Sequence, residues 1–369
     1  MSKQVKAQSH DREAEIAAFL DACGWGGARR ENVPGDASTR RYERLTYKGQ
    51  PAVLMDAPKS SEAPSEPVGA TIETRRKLGY NATARLAGGD MTSFAALSQA
   101  LIRRGFSAPK IIAADLGRGF LLLEDFGRAV FAPIIEADPA QEAPLYKAAI
   151  DTLAAIYRSS FPPVLNYGSS EWRVRDYDET ALCAEMDLCL DWYAKGVGRE
   201  IKPAARSQFF LHWRDAFKAL EAHKPGLALR DFHAENLFWL PERDGNARVG
   251  LIDFQDALFV HPAYDVASLI EDIRRDVSSE LSAVLLEEFC DKSGLSYDAD
   301  FLAAYAVMGG QRNTKLLGFP VRAELKFGKP QYMALMPRVK RHFKNSLQHD
   351  IMTDIYIWFE NHLPEALEV

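Results

Sequence analysis

The sequence predicts an α+β protein of two lobes, a small N-terminal lobe rich in antiparallel β-structure and a larger, mainly helical C-terminal lobe. Up to about residue 127, short runs of alternating apolar and polar residues are separated by glycine-bearing turns. From about residue 142, long stretches with the apolar spacing of helices take over. We therefore expect one lobe over residues 1–127 and a second over residues 128–369.

The first half of the N-terminal lobe is expected to hold one helix and three strands. An amphipathic pattern over 11–22 predicts the helix. The stretch "ARRENVPGDASTRRYERLTYKGQPAVLMDAP" predicts a β-meander, with a first turn at Gly35, Asp36, Ala37 and Ser38. Residues 58–90 are rich in Pro, Gly, Ser and Ala without a sustained period, so we expect a mobile loop there, or an insertion that orders on binding.

The second half of the lobe is expected to add one helix and two strands. The segment "TSFAALSQALIRR", residues 92–104, begins at a Thr or Ser cap and ends at Gly105. The segment "KIIAADLGRGFLLLEDFG" predicts two strands joined at Gly117 to Gly119. In the C-terminal lobe, helices are predicted over 142–159, 178–195 and 202–223, and a β-like segment over 226–254.

Composition excludes several classes of protein. The chain has 369 residues, 47% of them apolar and 26% charged, which is typical of a globular protein with real cores. A net charge of −6 argues against binding to nucleic acid or to an anionic membrane. The four cysteines show no metal-ligand spacing, and no run of apolar residues reaches the length of a signal peptide or membrane span. We expect a cytoplasmic protein, monomeric, that acts on a small molecule.

The segment "LALRDFHAENLFWLPERDGNARVGLIDFQDA", residues 227–257, carries the clearest chemical signal. It predicts a strand, a loop and a hairpin that direct Asp231, Asn236 and Asp253 to one site. Phosphoryl transfer requires these residue types, because a hydroxyl must be oriented and the charge on the transferred phosphate must be neutralised. Asp231 would accept the hydroxyl proton. Asn236 and Asp253 would supply the hard oxygen ligands that Mg²⁺ prefers.

This segment resembles the catalytic centre of kinase-like folds. "LRDFHAEN" is similar to the HRDxxxxN loop of protein kinases and the HGDxxxxN loop of aminoglycoside phosphotransferases, with Leu229 in the place of His, and "LIDFQDA" is similar to their metal-binding strand. The resemblance implies a bilobal protein-kinase-like fold with ATP and Mg²⁺ as cofactors. It also implies that Asp265, in "YDVASL", anchors the catalytic loop and takes no part in the chemistry.

A closer resemblance covers nearly the whole chain. "GDASTRRYERL", "AVLMDAP", "FLLLEDFG", "LRDFHAENLFWLP", "GLIDFQDA", "AYDVASLIEDIRRDV" and "MGGQRNTKLLGFPVR" look like the bacterial kinases that phosphorylate the anomeric hydroxyl of N-acetylmuramate and N-acetylglucosamine. That family is a branch of the aminoglycoside phosphotransferase superfamily. The resemblance implies ATP-dependent formation of a sugar 1-phosphate during peptidoglycan recycling.

The nucleotide is expected at the small lobe and at the connection between the lobes. "LLLEDFGR" precedes the catalytic loop, so Asp125 is not the metal ligand that its DFG letters suggest. We expect backbone groups of Glu124, Asp125 and Phe126 to meet the adenine. The turn of Gly35, Asp36, Ala37 and Ser38 is expected near the phosphates, although an ordinary hairpin tip is a serious alternative.

One departure from protein kinases affects the phosphate contacts. Protein kinases carry a Lys on the third strand that holds the nucleotide phosphates, whereas the equivalent strand here ends in Asp56. The phosphates would then be held by Mg²⁺ and backbone N–H groups, or by Arg40, Arg41 or Lys59.

Substrate contacts are predicted after the metal strand and on a later helix. The candidate substrate-binding residues are Gln255, Asp256, Gln311, Arg312, Lys315 and Arg175. Cations on the helix could meet the lactyl carboxylate of N-acetylmuramate, whereas charged residues on a helix are often only solvated. Two other functions stay open. The protein could phosphorylate another alcohol, such as an aminoglycoside, choline, homoserine or a different hexose, or it could be a pseudokinase that binds nucleotide without turnover.

Overall fold

The N-terminal lobe is built on an antiparallel sheet with helices on both sides. The structure is a computed structural model. It describes residues 3–33, 40–58, 67, 69–83 and 86–368. The predicted turn at 35–38 therefore lies outside the described residues. The elements are α1 (Lys3–Ala22), β1 (Arg29–Val33), β2 (Arg41–Tyr47), β3 (Gln50–Asp56), α2 (Ile72–Leu78), α3 (Tyr80–Thr83), α4 (Thr92–Ile102), β4 (Ile111–Asp115) and β5 (Phe120–Glu124). Within the described residues the sheet has the order β1-β2-β3-β5-β4.

The alternation of side chains along the strands divides the sheet into two faces. Ala52 and Leu54 of β3 pack with Ile16 and Phe19 of α1 in a small core that is confined to this lobe. Met55, on the opposite face of β3, belongs to the largest core, which extends into the C-terminal lobe. The predicted meander and the two strands around Gly119 are confirmed, and Gly119 has the positive φ of 77° that its turn requires.

Part of the segment predicted as a loop over 58–90 is helical. Thr71 caps α2 by accepting a hydrogen bond from the Thr74 N–H, and α2 and α3 both pack against the C-terminal lobe. Residues 72–78 and 80–83 are therefore helical, although the sequence there shows no sustained period. The helices are too short to show a period in the sequence, and they are stabilised by contacts with distant residues such as the ion pair of Arg75 with Asp178.

The C-terminal lobe is mainly helical, as predicted. Its elements are α5 (Phe131–Ala137), α6 (Glu142–Arg158), β6 (Val164–Tyr167), β7 (Ser170–Arg173), α7 (Glu179–Leu188), α8 (Ala194–Gly196), α9 (Pro203–Phe217), β8 (Gly226–Ala228), β9 (Leu237–Trp239), β10 (Val249–Leu251), β11 (Leu258–Val260), α10 (Ala263–Ile270), α11 (Ser279–Ser293), α12 (Ala299–Phe327), α13 (Met336–Ser346) and α14 (Thr353–His362). A π-helical turn at Cys189–Tyr193 joins α7 to α8. None of the helices among the described residues is long and apolar enough to cross a membrane.

Two features of the fold position the site. Strands β9 and β10 form a hairpin, and β8 pairs with β11, so the loops at their ends lie side by side. The ring of Phe254, one residue after Asp253, stacks on Phe94 of α4 with 4.9 Å between ring centroids. This contact between two buried side chains connects the segment after β10 in the C-terminal lobe to helix α4 of the N-terminal lobe.

Candidate functional site

The loop between β8 and β9 is held in place by a buried carboxylate. Asp265 of α10 accepts hydrogen bonds from the N–H of Leu229 at 2.6 Å and from the N–H of Arg230 at 2.9 Å. Arg230 has a φ of 75°, which is rare for a residue with a side chain, and the hydroxyl of Ser268 donates to its carbonyl. Burial raises the pKa of Asp265 to about 7, although the two N–H groups favour its charged form. These contacts fix the backbone immediately before Asp231.

The structure brings Asp231, Asn236 and Asp253 together. The Asn236 Nδ2 donates to the carbonyl of Asp231 at 2.9 Å and lies 3.5 Å from Oδ2 of Asp253. Asp253 has a φ of 59°, and its Oδ1 accepts a hydrogen bond from Nε2 of Gln255 at 2.8 Å. Desolvation and, next, the negative charge of Asp231 raise the pKa of Asp253. The carboxylates of Asp231 and Asp253 therefore repel each other at this site.

The donor set fits a magnesium ion. Asp253 offers carboxylate oxygens and Asn236 an amide oxygen, and a divalent cation between them would relieve the repulsion between Asp253 and Asp231. No group of three or more His, Cys, Asp or Glu side chains suited to a metal occurs in the part of the chain that the structure describes. A magnesium ion here would need further ligands from phosphate and water, which is its usual mode of binding at nucleotide sites.

The buried side chain of His233 contacts Asn236. It is buried, and its Nε2 lies 3.2 Å from Nδ2 of Asn236. Burial, followed by the charges of Arg274 and Arg312, lowers its pKa well below the ordinary value, so the ring is neutral and can accept the amide hydrogen. His233 therefore orients the side chain of Asn236.

The residues at the connection between the lobes make contacts within the N-terminal lobe and, through Arg243, with the C-terminal lobe. Asp125 accepts hydrogen bonds from Nε of Arg44 at 2.6 Å and from the N–H of Gly127 at 2.8 Å. The carboxylate of Glu124 pairs with Arg243 at 2.6 Å, and the same guanidinium lies over the ring of Phe126. The side chains are thus engaged within the protein. An adenine contact by these residues would involve their backbone, and it stays a prediction.

Asp56 and Arg41 are directed away from the site. The buried carboxylate of Asp56 binds Arg41 of β2 and Arg12 of α1, with contacts of 2.5 Å to each guanidinium. Arg41 therefore lies on the α1 side of the sheet, engaged with Asp56. Lys59 lies outside the described residues. Arg40 reaches the site, because its Nη1 lies 3.8 Å from Oδ1 of Asp253.

The residues after the metal strand face inward and toward the N-terminal lobe. Gln255 is buried and orients Asp253, as described above. Asp256 accepts a hydrogen bond from the N–H of Ala87 at 2.7 Å, which ties the segment before α4 to the catalytic lobe. Both side chains are therefore engaged in contacts within the protein, and substrate contact by them stays a prediction.

The candidate residues on α12 are buried. Gln311 donates to the carbonyl of Leu182 at 3.1 Å and lies 3.4 Å from the hydroxyl of Tyr177. Arg312 lies 3.5 Å from the carbonyl of Glu271. The alternative of a solvated helix face is thus excluded for both. Arg175 lies beside β11, where its carbonyl accepts a hydrogen bond from the N–H of Phe259. Substrate contact by these residues stays a prediction.

A buried ion cluster connects these helices to the catalytic loop. Glu185 of α7 is fully buried and pairs with Arg230, which precedes Asp231, and with Lys315 of α12 at 2.9 Å. The hydroxyl of Tyr177 is hydrogen-bonded to the same carboxylate. Burial would raise the pKa of Glu185, but Lys315 and Arg230 outweigh burial and lower the pKa. With one anion and two cations, the cluster carries a net positive charge. Sequence spacing alone could not separate Glu185 from ordinary surface charge.

Comparison with known proteins identifies the family. Residues 30–306 match the profile of the phosphotransferase enzyme family. The chain is 41% identical to the N-acetylmuramate/N-acetylglucosamine kinase of Caulobacter vibrioides, over 96% of this chain and 98% of that protein. It is 28% identical to the Pseudomonas aeruginosa protein of the same name, over 91% and 92% of the two chains. The chain belongs to the phosphotransferase enzyme family.

Solved structures agree on the fold of this phosphotransferase. Choline kinase LicA of Streptococcus pneumoniae superposes with a TM-score of 0.56 at 13% identity, over 92% of this chain and 99% of that chain. A choline/ethanolamine kinase family protein of Mesorhizobium loti gives a TM-score of 0.55 at 14% identity, over 95% and 98%. At such low identity these likenesses show the fold alone. They confirm the bilobal kinase-like fold predicted from the sequence.

Proposed function

We propose that this phosphotransferase uses ATP and Mg²⁺ to phosphorylate the anomeric hydroxyl of N-acetylmuramate and N-acetylglucosamine. The observation that carries the proposal is the meeting of Asp231, Asn236 and Asp253 in a chain that is 41% identical, over 96% of its length, to a kinase named for these two sugars. The product would be a sugar 1-phosphate, and we propose the cytoplasm and peptidoglycan recycling as its setting.

Asp231 is proposed to act on the acceptor hydroxyl. Its side chain is exposed at the site, while the backbone before it is fixed by Asp265. An anomeric hydroxyl is more acidic than an ordinary alcohol, so a carboxylate of low basicity is an adequate acceptor for its proton. Most of the rate can then come from positioning and electrostatics, as in other phosphoryl transfers.

Asn236 and Asp253 are proposed to hold the magnesium ion. When bound, the ion would neutralise charge on the phosphate oxygens. The orientation of its two protein ligands is supported by His233, which faces the amide of Asn236, and by Gln255, which donates to Asp253. The stacking of Phe254 on Phe94 restrains the strand from the other side. Both ligands would therefore be oriented before the nucleotide arrives.

Recognition of the sugar is proposed at α7 and α12. The cluster of Glu185, Arg230 and Lys315 has a net positive charge, and Lys315 keeps 17% of its side chain exposed. This charge suits the lactyl carboxylate of N-acetylmuramate better than a cationic acceptor such as choline. N-acetylglucosamine lacks the carboxylate, so its binding would depend on hydrogen bonds to the hydroxyl and acetamido groups.

A panel of acceptors tests the proposal. Purified protein with ATP and Mg²⁺ should release ADP with N-acetylmuramate and N-acetylglucosamine at millimolar concentration, and much more slowly with glucose, choline, homoserine or kanamycin. Phosphorus NMR of the product should show coupling of the phosphate to the anomeric proton. Phosphate at another position, or turnover of another acceptor alone, would reject the assigned substrate. Nucleotide binding without any turnover would favour the pseudokinase alternative.

A further inference from the structure

The third strand of the sheet offers no cation to the nucleotide. Ala52, Leu54 and Asp56 of β3 share the face that packs on α1. By the two-residue period of a strand, Val53 and Met55 face the opposite way, toward the core shared with the C-terminal lobe. The position on this face at which a protein kinase would carry its lysine is therefore occupied by an apolar side chain.

The residue immediately before the neighbouring strand β2, Arg40, offers a cation on that same face. Tyr42 of β2 is paired in register with Met55, and Arg40, two residues earlier, shares the side of the sheet with Tyr42. The charge of Arg40 acts on the Tyr42 hydroxyl and opposes the rise in the pKa of Tyr42 that burial causes. Arg41, between them, faces α1 and binds Asp56, and Arg44 binds Asp125 at the lobe connection. Of these three arginines, Arg40 is the one whose guanidinium approaches Asp253.

The environment of Arg40 suits an anionic ligand. The residue is only 5% exposed, and burial of a guanidinium is costly unless negative charge lies nearby. Nη1 of Arg40 lies 3.8 Å from Oδ1 of Asp253, which is the proposed ligand of Mg²⁺. An anion that enters beside Asp253 would thus meet Arg40, whose planar fork can bind two phosphate oxygens at once.

We propose that Arg40 binds the phosphates of the nucleotide, in the place where protein kinases use a lysine of the third strand. This inference rests on the proposed use of ATP. The residue replaces the missing lysine from the position just before the adjacent strand, with the guanidinium beside the metal ligand Asp253. Its role is to bind the phosphates, whereas the chemistry at the acceptor hydroxyl belongs to Asp231.

Calorimetry without sugar tests this assignment. In the presence of Mg²⁺, Arg40→Ala should weaken ADP and ATP binding by about 10- to 100-fold, the range for one charge-assisted contact. The affinity for adenosine should change by less than about twofold, because adenosine has no phosphate for Arg40 to bind. Arg40→Lys should fall between the wild type and Arg40→Ala. The matched control is Arg41→Ala, on the other side of the sheet, which should leave ADP binding nearly unchanged.

A second substitution separates phosphate binding from a structural role. Adding Met55→Lys to Arg40→Ala places a cation on the same face from the third strand, and should recover at least part of the ADP affinity. The inference is overturned if Arg40→Ala leaves ADP binding intact, or if ADP and adenosine lose affinity equally. If the wild-type protein binds neither ADP nor ATP, the proposed function fails instead, so the two failures are distinguishable.

Discussion

Substitution of Glu185 by alanine should destabilise the protein strongly. The carboxylate is fully buried and pairs with Arg230 and Lys315, whose side chains are 7% and 17% exposed. Its removal deprives two cations that are withdrawn from water of this carboxylate. Removal of one partner from a buried ion pair costs about 3–5 kcal/mol, against a total stability of about 5–15 kcal/mol for a typical domain.

The exposed ion pair on the same helix provides the control for this experiment. Glu179 lies at the start of α7 and pairs with Arg214, and their side chains are 50% and 40% exposed. Glu179→Ala should cost less than about 1 kcal/mol. Urea unfolding followed by circular dichroism and tryptophan fluorescence measures both variants. A loss for Glu185→Ala no larger than that of Glu179→Ala would refute the account of the buried cluster.

Two further predictions concern the metal and acid stability. Asp253→Asn removes the charged magnesium ligand, so the Mg²⁺ concentration for half-maximal activity should rise at least about 10-fold; an unchanged Mg²⁺ titration would remove Asp253 from this role. Burial and then His223 lower the pKa of His261 to about 3, below its ordinary 6.5. Below pH 6.5 the unfolded chain therefore binds a proton at His261 that the folded state does not bind. The free energy of unfolding should fall by about 1.4 kcal/mol for each pH unit below pH 6.5, and this contribution is fully present above that pH. Between pH 6 and pH 4 the free energy of unfolding of His261→Gln should fall less steeply with decreasing pH than that of the wild type. The same slope for both proteins would contradict the lowered pKa of His261.

The lobes could be predicted from the sequence because their elements carry local signals. Alternation and turns defined β1 to β3, and the helix expected over 142–159 is observed at Glu142–Arg158. The helix expected over 178–195 is interrupted by the π-helical turn at Cys189–Tyr193, where α12 packs closely and the carbonyl of Leu188 lies against Gly318. Contacts of this kind join residues far apart in the chain, so periodicity does not report them.

The proposed catalytic and metal-binding residues could be found from spacing, because Asp231 and Asn236 lie on one loop and Asp253 lies just after the adjoining hairpin. The contacts of the residues around them could not be predicted from spacing. Arg40, immediately before β2, and Arg41, its first residue, are chemically identical, and only the direction that each side chain takes separates the contact with Asp253 from the contact with Asp56. Glu185 has the sequence environment of a surface residue, and its burial follows from the packing of α7 on α12.

The central claim is that Asp231 acts on the acceptor hydroxyl beside a metal held by Asn236 and Asp253. Asp231→Asn tests it most directly, with single-turnover phosphorylation of N-acetylmuramate and ATP binding measured on the same preparation. The account predicts a rate lower by about 10²- to 10⁴-fold, the contribution of a general base, with ATP affinity within about threefold of the wild type. A rate within a few-fold of the wild type would contradict it.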